Sequence, residues 1–254
     1  MEVVKAKKFL GQHFLTDENI AKKIAESITE QNNVLEIGAG MGVLTKYLLA
    51  NPQIKQFKVV EIDKESVEYL LLHYPLLSIF NGDFLKMNLQ TENEITIIGN
   101  FPYNISNQIL FKVFDNRNKV KEVVGMFQKE VAERIAATAG NKIYGILSVL
   151  LSAFYDIELL FSVNAHVFNP PPQVKSAVIR LKRNNVEKLM CNETLFVKIV
   201  KTAFNQRRKM LRSALKPLNF DLQYIPDELL SKRAEQLTVD KFIYITQILE
   251  NQQI

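Results

Sequence analysis

The chain has 254 residues, 47% of them hydrophobic and 23% charged, with a net charge of +5; that supports a buried core and excludes intrinsic disorder as the main state. The longest uncharged apolar stretch, residues 144–155, falls short of the roughly 20 residues that cross a bilayer. The single cysteine, Cys191, permits no internal disulfide and no Cys-rich metal site. A cytoplasmic protein is expected, because the early lysines of MEVVKAKKFLGQHFL are not followed by the apolar core of a secretory leader.

In chain order, Ile20, Ala21, Ile24, Ala25 and Ile28 recur at helical spacing and predict a helix over 17–29, with Thr16 placed to cap it. Strand-like runs then alternate with helical patterns. The strands fall at 33–37, 57–62, 77–80, 95–99 and 123–128, and the helices at 43–50, 64–73, 105–115 and 129–139. This alternation predicts a parallel sheet with helices on both faces. Two further strands, 157–163 and 176–183, flank the run Pro170-Pro171-Pro172, and beyond Asn184-Asn185 the pattern is helical to the end. The expected organisation is an α/β domain over 1–184 and a small all-helical domain over 185–254.

The charge is unevenly spread. Between Arg180 and Lys216 eleven basic residues face only Glu187 and Glu193, so this segment carries +9 and the rest of the chain −4. A concentrated basic surface suits a polyanion bound through its phosphates, although a basic run alone fits a solvated helix face equally well. Lys201, Arg207, Arg208, Lys209 and Arg212 are the candidate nucleic-acid contacts there, and Lys5, Lys7 and Lys8 form a second cluster near the start.

The first strand ends in Glu36-Ile37-Gly38-Ala39-Gly40-Met41-Gly42. Glycines between a strand and a helix let a ligand approach the backbone. The dinucleotide fingerprint needs glycine where the chain has Val43, which turns the reading away from NAD and towards S-adenosylmethionine. Glu61 ends the second strand, followed by Ile62 and Asp63; a carboxylate there accepts from the hydroxyls of a ribose. A helix-start charge is the plainer reading for Glu61 and more so for Asp63. After the third strand, Asp83 is placed to accept from an adenine amino group, with Phe84 packed on the ring. The fourth strand ends in Gly99-Asn100-Phe101-Pro102-Tyr103, a run of polar and rigid residues that a simple turn does not require.

The Asn100–Tyr103 run and the Glu36–Gly40 loop resemble the amino-methyltransferases, which use S-adenosylmethionine to methylate exocyclic nitrogens. Residues 8–15 (KFLGQHFL) narrow the resemblance to the rRNA adenine dimethyltransferases. Residues 128–131 (QKEV), 144–149 (YGILSV), 168–174 (FNPPPQV), 203–209 (AFNQRRK) and 233–235 (RAE) follow in that family's order. The resemblance spans nearly the whole chain and is closest to the KsgA (RsmA) branch. It implies a Rossmann-like class I methyltransferase sheet with a C-terminal helical domain that binds RNA. The implied substrate is two adjacent adenosines near the 3′ end of 16S rRNA, in the small subunit or its assembly precursor; a monomer is taken only as the default. The candidate cofactor contacts are Gln12, His13, Leu15, Gly38, Gly40, Glu61, Ile62, Asp83, Phe84 and Asn100. The candidate catalytic group is Asn100, Phe101, Pro102 and Tyr103 with Phe168, where Tyr103 and Phe168 would sandwich the target adenine; read without the family, Phe168 is equally a core residue. His13, Ala39, Phe101 and Lys175 stand where many members carry Asn, Pro, Leu and Asp. His13, His73 and His166 lack metal-ligand spacing, so no metal is expected. The alternatives are an Erm-type enzyme acting on large-subunit rRNA and a non-catalytic assembly factor on the same fold.

Overall fold

The computed structural model describes residues 4–252. The chain runs through β1 (Phe14–Leu15), α1 (Glu18–Ala25), β2 (Asn33–Ile37), α2 (Thr45–Leu49), β3 (Gln56–Glu61), α3 (Lys64–His73), β4 (Ser78–Asn81) and β5 (Ile95–Asn100). It continues through α4 (Ser106–Asp115), β6 (Val120–Gln128), α5 (Lys129–Ile135), α6 (Ile146–Ser152), β7 (Tyr155–Val163), β8 (Phe168–Asn169) and β9 (Ser176–Arg183). Four helices close it: α7 (Glu193–Asn205), α8 (Leu211–Ala214), α9 (Asp227–Leu230) and α10 (Val239–Glu250).

The main sheet has seven strands in the order β4-β3-β2-β5-β6-β9-β7. Strands β4, β3, β2, β5 and β6 pair in parallel, as the alternation predicts, and all five residues of β2 are buried, as a central strand covered on both faces requires. The sheet is not wholly parallel. β9 returns antiparallel along β6 and sets Ser176 opposite Gln128, which carries the start of β9 to the carboxyl edge of the parallel strands. On one face Ala21, Ile24 and Ala25 of α1 and Leu44 and Leu48 around α2 bury against Val34, Ile98, Val124, Met126 and Val178. On the other, Leu70 of α3 packs with Ala39, Val59 and Leu77.

Asp17, not Thr16, caps α1: its carboxylate accepts from the Ile20 amide at 3.0 Å, and the Thr16 hydroxyl donates to the Val167 carbonyl at 2.9 Å. That bond extends a two-residue antiparallel pairing of β1 with β8, Leu15 opposite Phe168, which ties the N-terminal segment to the proline run. Pairings this short leave no periodic signal in a sequence.

The contacts divide the chain into two compact units, Met1–Ala132 with Ile157–Arg183, and Glu133–Asp156 with Asn184–Ile254. The first holds the sheet core described above. The second is helical: Phe196, Ile199, Val200, Ala203 and Phe204 of α7 are buried where α7 packs with α6 and α10. The sequence reads a single boundary at 185, whereas residues 133–156 group with the C-terminal helices. The physical reason is α6, whose Leu147, Val149, Leu150 and Leu151 are all buried and need the apolar faces of α7 and α10.

Candidate active site

The carboxyl ends of β2, β3, β4 and β5 open onto one cleft. Gly38 and Gly40 follow β2 in its wall, Glu61 and Ile62 stand at the end of β3, and Asp83 and Phe84 follow β4. Asn100, Phe101, Pro102 and Tyr103 come from the end of β5, and Gln12 and His13 from the N-terminal segment. Four strand ends and the N-terminal segment thus bring most of the candidate cofactor and catalytic residues to the edge where open α/β sheets bind ligands.

Gly38 shows the cradle most directly. It has φ +70°, a left-handed conformation that favours glycine, and a Cβ there would find only Pro102 Cδ, at 4.0 Å. The backbone therefore faces open cleft and a ligand can lie against it. Glu61 is almost fully buried. One carboxylate oxygen accepts from the Gly40 amide at 2.9 Å and the other from the Asp63 amide at 2.9 Å. Each oxygen keeps a further lone pair. Burial raises the Glu61 pKa, and these backbone donors oppose that rise. Asp83 Oδ1 accepts from Leu85 N at 2.9 Å, and the Lys112 ammonium pins the same loop through the carbonyls of Leu85, at 2.9 Å, and Met87, at 2.5 Å. Carboxylates at two strand ends beside bare backbone suit a nucleoside with a diol and an amino group, so the residues present fit S-adenosylmethionine.

At the β5 end, the Asn100 side-chain amide donates to the His13 carbonyl at 2.8 Å. That bond decides the orientation of the amide: nitrogen towards His13, with Oδ1 as the remaining acceptor. The turn that follows is braced by Ile105 N to Pro102 O at 3.2 Å and by Ser106 Oγ to Tyr103 O at 2.9 Å. The Phe101 ring is buried and meets Phe127 edge-on at 5.1 Å. Room for it comes from glycines: a Cβ on Gly125 would lie 2.3 Å from the ring and one on Gly99 2.9 Å away. Tyr103 is fixed at its far end by a 2.5 Å hydrogen bond between its hydroxyl and Ser176, and burial raises its pKa. Its ring stacks on His13 at 5.4 Å, whose Nδ1 bonds the Pro170 carbonyl at 2.7 Å.

Two candidates lie elsewhere. Phe168 does not line this cleft; its ring is buried in the apolar cluster with Leu15 and Ile24. The pairing of β8 with β1 puts it there, so the core reading is the one the structure gives, and the aromatic neighbour of Tyr103 is His13. Leu15 is buried in the same cluster and borders an adjoining pocket behind the glycine loop. Gln12 lines the cleft, but its amide is engaged: Nε2 donates to Asp63 at 3.2 Å and Oε1 accepts from Lys7 N at 2.8 Å. Ser176 and Asp63 are the positions sequence reasoning missed as parts of the site. Ser176 reaches it only through the antiparallel return of β9, which nothing local announces, and Asp63 reads locally as the cap of α3, which it also is.

Glu36 lines the adjoining pocket. Burial pushes its pKa up to about 8, opposed by the bond from Thr45 and reinforced by the charge of Glu61. The folded chain therefore holds this proton where the unfolded chain, with the ordinary value of 4.5, has lost it. Stability from this group is complete below pH 4.5 and is lost as pH rises to about 8. Glu36→Gln keeps an acceptor for Thr45 and does not titrate. Its expected melting temperature matches the parent at pH 4.5 and exceeds it at pH 8; thermal unfolding across that range checks it.

The basic candidates divide. Lys7 pairs with Asp63 and, at 3.1 Å, with Glu65, so it serves the interior and not a phosphate; Lys5 and Lys8 are exposed. Arg207 pairs with Glu235 at 3.1 Å and Arg212 with Asp227 at 3.0 Å. Arg208, Lys209 and Lys201 are exposed. Arg180 and Lys182, counted in the basic run, lie on β9 and pair with Glu158 at 2.5 Å and Glu30 at 3.4 Å. Among the described residues no group of three or more His, Cys, Asp and Glu is placed to hold a metal, and no helix is long and apolar enough to cross a membrane.

A family model described as "Ribosomal RNA adenine dimethylase" matches residues 3–251. The "Ribosomal RNA small subunit methyltransferase A" of Cytophaga hutchinsonii is 57% identical over 256 residues, covering 98% of this chain and 99% of that protein. A dimethyladenosine transferase from Plasmodium falciparum has a similar crystal structure, with a TM-score of 0.81 at 27% identity over 95% of this chain and 99% of that one. The 23S rRNA methyltransferase ErmE shares the fold, with a TM-score of 0.71 at 22% identity over 93% of this chain and 99% of its own.

Proposed function

The chain belongs to the ribosomal RNA adenine dimethylase family, and from that premise we infer that it dimethylates the N6 amino groups of two adjacent adenosines near the 3′ end of 16S rRNA, using S-adenosylmethionine, during small-subunit biogenesis. The observation that carries the reading is Asn100: its nitrogen is committed to the His13 carbonyl, so its oxygen is the acceptor offered to an adenine in the cleft.

Bound S-adenosylmethionine supplies a methyl group already activated on a sulfonium. The chain's own residues then have to hold and orient. Gly38 and Gly40 give backbone against which the cofactor lies, Glu61 accepts from its ribose hydroxyls, and Asp83 accepts from its adenine amino group. The N6 lone pair of the target adenine is delocalised into the ring and is a poor nucleophile. Asn100 Oδ1 and the Phe101 carbonyl accept the two N6–H bonds, draw the lone pair out of the ring plane and aim it at the methyl. These oxygens would face the positive charge that grows on N6 as it takes up the methyl, and the N6 proton would then leave to solvent. Pro102 fixes the turn in advance, and Tyr103 stacks on the extruded base. In the second round only one N6–H remains, so one acceptor holds it while the other faces the first methyl.

The helical unit is assigned to RNA and ribosome binding, with Arg208 and Lys209 as exposed cations, in a cytoplasmic monomer. Reversing both to Glu is expected to weaken rRNA affinity and to lower the slope of log affinity against log salt by about 1 to 2, since each phosphate contact contributes roughly 0.7 to 0.9; binding isotherms from about 50 to 200 mM salt measure it. The function itself is tested by transfer of tritiated methyl groups from S-adenosylmethionine to unmethylated small subunits, with large-subunit rRNA in parallel. Dimethyladenosine in the small subunit is the expected product. Label confined to large-subunit rRNA would make the chain an Erm-type enzyme, and tight binding without label would make it an assembly factor only.

A further inference from the structure

Phe9 is the most exposed phenylalanine or tyrosine of the described residues, at 78%. An exposed apolar side chain alone needs no explanation, but three features set this one apart. The first is place. Lys8–Leu10 form one tight helical turn, and Leu10 and Gly11, immediately after Phe9, line the cleft. Phe9 therefore stands beside the cleft wall with its ring in solvent.

The second is rigidity. Lys7, just before the turn, is ion-paired with the buried Asp63 and with Glu65. Gln12, just after it, bonds both Asp63, at 3.2 Å, and the Lys7 amide, at 2.8 Å. Burial alone would raise the Asp63 pKa, but the bonds from Lys7 and Gln12 outweigh it and hold the carboxylate below its ordinary range. Gly11 presses so closely on the loop after Tyr103 that a Cβ would lie 2.6 Å from Asn104 Oδ1. Both ends of the turn are thus anchored, and Phe9 is carried on a fixed support, not a loose tail. The third is charge: Lys5 and Lys8 beside it are exposed. An aromatic face on a fixed support with exposed lysines close by in sequence is a combination that holds single-stranded nucleic acid, base on ring and phosphate on ammonium.

We propose that Phe9 is a stacking platform for the nucleotide next to the adenosine in the cleft, with Lys5 and Lys8 on its phosphates. The proposal rests on the function given above. Extruding one adenosine strips its neighbour of a stacking face, and Phe9 replaces it. Because two adjacent adenosines are modified, the base on Phe9 in one round is the base in the cleft in another, which makes this residue a determinant of hand-over between the two targets.

The chain has no tryptophan, so Phe9→Trp places a single reporter on the rim. The emission of this variant is expected to be quenched by an RNA hairpin with two adjacent adenosines in its loop, and the quenching to vanish when either adenosine's neighbour is abasic. With unmethylated small subunits, Phe9→Ala and Phe9→Leu are expected to raise KM about ten-fold and to leave one of the two adenosines undermethylated, at an unchanged melting temperature, while Phe9→Tyr restores the parental values. Emission of the Phe9→Trp variant that is indifferent to the neighbouring base, or Phe9→Ala with parental KM and product distribution, overturns the proposal. Failure of the parent protein to transfer any methyl to small subunits overturns the function instead, and the emission experiment still reads the stacking without turnover.

Discussion

Asn100→Ala is expected to lower the rate of methyl transfer about 10² to 10³-fold, the loss typical of removing one preorganised polar group from a reaction centre, while affinity for small subunits stays close to the parent's. The distinction follows from where Asn100 sits. It stands at the end of β5 in the cleft, and its side-chain nitrogen bonds the His13 carbonyl at 2.8 Å. Truncation removes the acceptor that draws the N6 lone pair out of conjugation and also the bond to the His13 carbonyl, while Lys7 and Gln12 still anchor the N-terminal segment on Asp63. Asn100→Asp separates these effects. It keeps an acceptor of the same shape but sets a carboxylate oxygen against the His13 carbonyl, so it is expected to lose activity as well, in spite of carrying more negative charge. Single-turnover rates with saturating small subunits, beside a binding isotherm, measure the two quantities independently. An alanine variant with the parental rate would remove Asn100 from the chemistry and with it the mechanism given above.

Much of this site is legible in the sequence because it is assembled from strand ends. Gly38, Glu61, Asp83 and Asn100 each follow or close a run whose β character is visible locally, and a parallel sheet brings such ends to one edge without further information. What is not legible is what holds those ends. The Asp63 carboxylate reads as a helix cap, and it is one, but its bonds to Lys7 and Gln12 join positions more than fifty residues apart. Charge alone therefore groups Lys7 with Lys5 and Lys8 as an RNA contact. The motif around Phe168 sets its ring on the adenine, whereas the β1–β8 pairing buries it. The basic run from Arg180 to Lys216 is continuous only in sequence, since its first members lie on β9 in the sheet and the rest in the helical unit. Pairings of this kind are decided by tertiary packing, which neither periodicity nor composition encodes.

Glu61→Gln, usually a mild change, is expected to cost about 100-fold in affinity for S-adenosylmethionine. Both carboxylate oxygens already accept backbone donors, Gly40 N and Asp63 N, each at 2.9 Å. Glutamine offers only one acceptor atom, so its amide nitrogen must face one of those N–H groups, donor against donor, in a position almost without solvent. Leaving a buried donor unpaired costs about 1–3 kcal/mol, and the loop that carries Gly38 and Gly40 shifts with it; the variant also loses the charge that the ribose hydroxyls meet. The same geometry gives the parent protein a pH dependence. Burial raises the Glu61 pKa, so the carboxylate takes up a proton at a higher pH than an ordinary glutamate as the solution is acidified, and once protonated it has lost the same acceptor. Affinity in the parent is therefore expected to fall as pH is lowered towards the carboxylate range, and Glu61→Gln to stay low and flat. Hydroxyl donors from the ligand favour the ionised form and lower its pKa, so binding on the acid side releases protons. Calorimetric titration in two buffers of different ionisation enthalpy detects that release, and its absence in the parent would show that the ribose is held by some other group.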